Sequence, residues 1–136
     1  MEKETSHSFE AEVFINLHAT NDAELFTVAL HSLADVIAPG TPIPGKGMIG
    51  KPFRLKAMDK PSLLMDFLSY VIEESRHKNI IYYKLVIDFL STQYLDGILY
   101  GMETDQLKAR VKSIIYPDSE VLRNPDGSWD AHIVFA

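Results

Sequence analysis

Three carboxylates, Glu10, Glu12 and Asp118, fall near the ends of segments that read as strands. Clustered oxygen ligands of that kind suit a hard cation such as calcium, magnesium or manganese, which needs neither histidine nor cysteine. The plainer reading is three solvated acids, because acids are rarely buried unpaired. Glu10 and Glu12 are two apart and share one face of a strand, so an acid and base pair is geometrically allowed. No nucleophile, oxyanion donor or second motif accompanies them, which makes a small hydrolase the weakest reading. The histidines, His7, His18, His31, His77 and His132, include no pair at helical ligand spacing, so a zinc hydrolase motif is missing. The glycines between Gly45 and Gly50 lack the lysine and threonine that follow in a phosphate loop, and they precede a strand.

Two basic rows stand out. Lys46, Lys51, Arg54, Lys56 and Lys60 surround one predicted strand, and Lys108, Arg110 and Lys112 alternate along a later one. Such charges keep a sheet face wet and its edge from aggregating. They also make a surface for RNA phosphates or for an acidic partner protein. Both readings stand at this point.

The elements that must position these groups are organised around residues 107–136. From Lys108 the residues alternate, with Ala109, Val111, Ser113 and Ile115 on the face opposite Lys108, Arg110 and Lys112. Asn124-Pro125-Asp126-Gly127 predicts a tight reversal, proline presetting one turn dihedral and glycine taking the positive φ. The chain returns with Trp129, Ala131, Ile133 and Phe135 inward, which puts the terminal carboxylate of Ala136 at a strand end. Residues 10–18 read as a first strand, with Ala11, Val13, Ile15 and Leu17 inward and Phe14 on the otherwise polar face. Asn21 and Glu24 form a capping box for a helix that runs to about Ala38 and ends at Pro39-Gly40. Residues 40–50 hold two prolines and four glycines and read as an exposed, mobile loop. Residues 51–58 read as a short strand, Pro52 marking an edge or a strand start. Asp59-Lys60-Pro61 opens a second helix, to about His77, on Leu63, Leu64, Phe67, Leu68, Val71 and Ile72. Residues 80–90 are almost continuously apolar, which predicts a central strand covered on both faces, turned by Ser91-Thr92-Gln93 into a strand over 94–101.

The expectation is one α+β domain over residues 1–136, two helices packed on a largely antiparallel or mixed sheet. With 136 residues, 46% of them hydrophobic, the chain suits a single globular core. Thirteen Lys and Arg against nineteen Asp and Glu give a net charge of −6, which excludes holding nucleic acid by bulk charge but leaves room for a local basic patch. The absence of cysteine excludes disulfides and thiol catalysis and fits a reducing compartment. Residues 1–9 are too polar for a signal peptide and no apolar run spans a bilayer, so a cytoplasmic protein with no membrane contact is expected.

Four segments then stand together: Glu24-Leu25-Phe26, Leu63-Leu64-Met65-Asp66-Phe67-Leu68, Val111-Lys112-Ser113-Ile114-Ile115-Tyr116, and residues 127–135. In order and spacing the chain resembles the archease family, protein cofactors of the GTP-dependent, RtcB-type tRNA-splicing RNA ligase. Those segments are similar to the family's ELF, LLxxFL, lysine-alanine-valine-threonine-tyrosine-histidine and closing W-x-A-x-V-I-F-D patterns. The resemblance implies a non-enzymatic accessory protein that assists guanylylation and multiple turnover of the ligase, or of another RNA-modifying enzyme, with weak tRNA contact. It also implies a divalent cation, calcium or else manganese or magnesium. The family's His-Thr-Ala-Asp corresponds to Phe9-Glu10-Ala11-Glu12, its histidine after the tyrosine to Pro117, and its final aspartate to Ala136. The expected ligands are therefore Glu12 and the Ala136 carboxylate, with Glu10 and Asp118. Arg54, Lys56, Lys108, Arg110 and Lys112 are the expected partner or RNA contacts. The alternative is a divergent protein-binding, RNA-binding or chaperone module without metal-dependent ligase activation.

Overall fold

Strand β1 (Val13–Ala19) buries Ile15, Leu17 and Ala19 and turns Phe14, Asn16 and His18 outward, as its alternation predicts. It opens the computed structural model, which describes residues 13–40, 48–104 and 111–136. Helix α1 (Asp22–Ile37) follows because Asn21 caps it, its side chain accepting the Glu24 amide at 2.8 Å. Glu24 closes the box one residue further out than expected, its carboxylate accepting the Thr20 amide at 2.6 Å and the Thr20 hydroxyl at 3.0 Å. Both contacts hold the Glu24 carboxyl below its usual range, the Thr20 amide contributing most. Helix α2 (Lys60–Lys78) is capped by Asp59, which accepts the Ser62 amide at 2.9 Å, and it ends at Asn79 with φ 54°.

The strands form two antiparallel sheets. One has the order β1-β6-β5, with β5 (Glu120–Arg123) and β6 (Trp129–Phe135); the other has the order β2-β4-β3, with β2 (Ile49–Lys56), β3 (Ile80–Leu90) and β4 (Tyr94–Glu103). Helix α1 packs on β1 and β3, and α2 on β2 and β3, so a single apolar core joins both sheets to both helices. The α+β class holds, and so does the count of strand, helix, strand, helix and four strands, but the third of those four is β5 in place of the expected segment from Lys108. The Asn124 turn is present: Asn124 accepts the Gly127 amide at 2.9 Å, Gly127 takes φ 89°, and Trp129, Ala131, Ile133 and Phe135 are buried.

Two expectations need correction. Strand β3 has the expected extent but not the central place: among the described residues it pairs with β4 alone, and β4 is the middle strand. Only Ile80 to Tyr83 are buried on both faces, and Lys84, Val86, Asp88 and Phe89 are exposed. The second correction concerns residues 108–115, of which 108–110 lie outside the described residues. Residues 111–115 run beside β6 without a strand's regularity, and Val111 and Ile114 are buried instead of Val111, Ser113 and Ile115. Lys112 and Ser113 both bond to Ala136 while Ile115 bonds to Val134, and Pro117 then ends the segment. Proline has no amide to give the ladder, and Tyr116–Asp118 forms a 3-10 turn before β5 begins. The Ser119 hydroxyl repairs the gap, accepting from the Val134 amide and donating to the Ile115 carbonyl, both at 2.9 Å.

The apolar run misled because β3 carries two bulges, between Tyr82 and Lys84 and between Ile87 and Phe89. Each brings a β3 carbonyl close to a glycine of β4. A Cβ at Gly97 would stand 2.4 Å from the Val86 carbonyl oxygen, and one at Gly101 would stand 2.4 Å from that of Ile81. Backbone cannot yield as a side chain can, so Gly101→Ala is expected to destabilise the protein by about 1–3 kcal/mol. Urea denaturation measures this; an unchanged midpoint would show that the sheet accommodates the methyl group.

Candidate functional site

The expected cation ligands divide. Glu10 and Glu12 lie outside the described residues. Ala136 is held at the end of β6, its amide donating to the Ser113 carbonyl at 2.9 Å and its carbonyl oxygen accepting the Lys112 amide at 2.7 Å. Across the sheet Phe135 pairs with Val13, so β1, β6 and residues 111–115 converge at one end. Asp118 is exposed in the 3-10 turn. Their oxygens are the donors a hard cation takes. Among the described residues, however, no three His, Cys, Asp or Glu side chains gather as a metal site. Asp118 and Ala136 are by themselves too few to hold an ion.

Lys60, read as part of a basic surface row, is 5% exposed. Its ammonium donates to the Ser91 carbonyl, lies 3.5 Å from the Asp22 carboxylate and stands 6.0 Å from the centre of the Phe26 ring. Asp22 also accepts the Trp129 indole N–H at 2.7 Å. Lys60 is therefore a tie between elements and not a partner contact. Elsewhere in the core, burial and then the nearby Glu74 push the Tyr82 hydroxyl up to about 12.

At the opposite end of the β1-β6 pair, sequence reasoning missed a polar cluster. His18 Nδ1 lies 2.8 Å from Asp130 Oδ1, and Asn124 donates to the other Asp130 oxygen at 2.9 Å. Asp126 is fixed by the Ser128 hydroxyl at 2.6 Å and the Ser128 amide at 2.9 Å. The Asp130 contact raises the His18 pKa, and the bonds from Asn124 and then His18 lower that of Asp130. Alternation put both residues on outer faces, but only the pairing of His18 with Asp130 shows that they meet.

The outer face of β2-β4-β3 collects what remains of the first basic row. Arg54 Nε donates to Asp96 at 3.1 Å, and Lys56 Nζ stands 5.5 Å from the centre of the Tyr94 ring. Lys84 stands 5.8 Å from that of Tyr100. Lys51 is half-buried on the inner side of β2. Lys112 is exposed beside Ala136, while Lys46, Lys108 and Arg110 lie outside the described residues. The signal for this face was the β4 alternation of Tyr94, Asp96, Ile98 and Tyr100 against Leu95, Gly97, Leu99 and Gly101.

Two helices set on two antiparallel three-stranded sheets define a small α+β protein of the archease fold. The chain belongs to the archease family: residues 4–135 match the model described as "Archease protein family (MTH1598/TM1083)". It is similar to the solution structure of Methanobacterium thermoautotrophicum protein 1598, with TM-score 0.65 and 18% identity over 93% of this chain and 98% of that one. It is similar also to the crystal structure of a Thermotoga maritima archease described as a possible chaperone, with TM-score 0.66 and 15% identity over 99% of this chain and 96% of that one. No curated protein matches the chain by sequence. Among the described residues, no helix is long and apolar enough to cross a membrane.

The His18–Asp130 contact has a definite pH signature. A raised pKa means that folding favours the charged ring, so the contact contributes fully below about pH 6.5 and fades as pH rises through the folded value. In an NMR titration His18 is expected above the ordinary histidine value, and Asp130→Asn is expected to return it there. An unshifted wild-type ring would refute the contact.

Proposed function

We propose that this protein is a non-enzymatic, cytoplasmic accessory protein that assists guanylylation and repeated turnover of a GTP-dependent, RtcB-type RNA ligase in tRNA splicing or RNA repair. The observation that carries the reading is the family match over residues 4–135. The reading includes a divalent cation, calcium or else manganese or magnesium, taken by Glu12 with Glu10, Asp118 and the Ala136 carboxylate. Oxygen donors alone support a hard cation over zinc. Bound there, it would supply positive charge at the strand end. The chain's own part is positional: the Lys112 amide and Ser113 carbonyl hold Ala136, and Ser119 ties the preceding segment to β6.

A second reading is a chaperone-like module for RNA-modifying enzymes that needs no cation. It is favoured by Phe9, Pro117 and Ala136, which stand where the family motif has histidine, histidine and aspartate. The Thermotoga maritima relative's description as a possible chaperone also supports it.

Multiple-turnover RNA ligation by the ligase of the same organism, with and without this protein, separates the two. Acceleration in calcium or manganese, abolished by chelator and by Glu12→Ala with circular dichroism unchanged, is expected. No acceleration of an active ligase would leave the chaperone reading. Calorimetry tests the ligands directly: Glu12→Ala, or one residue appended after Ala136, is expected to abolish calcium binding, and unchanged binding would reject this ligand set.

A further inference from the structure

We propose that the outer face of β2-β4-β3 is a platform for an unpaired strand of RNA, with Tyr94, Phe89 and Tyr100 stacking bases and Lys56 and Lys84 meeting phosphates. This rests on and deepens the proposed RNA-ligase role, but its binding test uses the isolated protein without ligase, so that either can fail alone. Three observations carry it. Tyr94 and Tyr100 lie on one face of the central strand, six residues apart, which spans roughly 20 Å at a strand's rise. Each has a lysine ammonium within 6 Å of its ring centre, so a cation and an aromatic ring are presented together, as a nucleotide's phosphate and base require. Phe89, paired with Asp96 between them, is 55% exposed.

Side chains of β2 and β3 make the face locally cationic. Tyr100 is half-buried because its ring packs over Gly50 of β2, where a Cβ would stand 3.0 Å from its Cε1 atom, so the ring is held in place with only its outer side accessible. Asp96 is neutralised by Arg54, which leaves Lys56 and Lys84 against Asp88. The face is thus slightly positive on a chain of net charge −6. Across the face an apolar row of Pro52, Ile98 and Val86 lies between the Tyr100–Lys84 pair and the row of Arg54, Asp96 and Phe89, so rings with cations flank an apolar centre, an arrangement that suits sequence-tolerant stacking.

Fluorescence anisotropy with a labelled oligouridylate and the isolated protein tests this. Binding is expected, with weaker binding to duplex RNA and a log–log salt slope of about −1.4 for two phosphates on a single strand. Tyr94→Ala and Tyr100→Ala should each weaken it at least about fivefold, while the Phe variants retain it. Phe14→Ala, on the other sheet, should have no effect. Absence of binding, equal affinity for duplex, or binding unaffected by the tyrosine substitutions would overturn the proposal. Retained RNA binding in the tyrosine variants with loss of ligase stimulation would assign the face to a protein instead.

Discussion

The Asp22 carboxylate and the Lys60 ammonium together join four parts of the fold that sequence keeps apart. Asp22 sits in the first turn of α1, takes the indole N–H of Trp129 from β6, and faces the ammonium of Lys60 at the start of α2. Lys60 in turn reaches the Ser91 carbonyl between β3 and β4. One carboxylate and one buried ammonium therefore link the β1-β6-β5 sheet, both helices and the β2-β4-β3 sheet. The alternatives for Lys60 are costly, because a buried charge without a partner loses its hydration for nothing. The two sheets have no mutual strand pairing among the described residues, so their relative placement rests on the shared core and on this tie.

The fixed frame determines where chemistry can be done. At one end of β6 the chain brings Val13, residues 111–115 and Ala136 together. At the other end, His18, Asp130, Asn124 and Asp126 hold one another in an exposed network. The outer face of the second sheet is separate from both and carries Tyr94, Phe89 and Tyr100. An accessory protein needs such surfaces more than it needs an enclosed cleft, since its work is done on a partner.

Local patterns were legible in the sequence and pairings were not. Alternation gave β1 and β6, and Asn21, Asp59 and Asn124 gave the caps and the reversal, because these signals act within a few residues. The division into two sheets depends on β1 pairing with β6 across almost the whole chain, which no local pattern records. The apolar run of β3 read as a central strand because burial of Ile80 to Tyr83 and a bulged, half-exposed continuation look alike in composition. Lys60 read as surface for the ordinary reason that lysines are seldom buried; only Asp22 and Ser91, distant in sequence, explain it. Of the expected site residues, Arg54 and Lys56 share a face, Lys112 lies beside Ala136, Asp118 is exposed in the 3-10 turn, and Glu10, Glu12, Lys108 and Arg110 lie outside the described residues.

A double-mutant cycle between Asp22 and Lys60, read by urea denaturation, tests the central claim most directly. Asp22→Ala leaves the Lys60 ammonium with the Ser91 carbonyl but no carboxylate and strands the Trp129 N–H, and should cost about 1–3 kcal/mol. Lys60→Met removes the charge while keeping a side chain of similar length, so the double variant should cost less than the two single changes together, by about 0.5 kcal/mol or more. Strictly additive losses would contradict the account, leaving the sheets to be held by apolar packing alone.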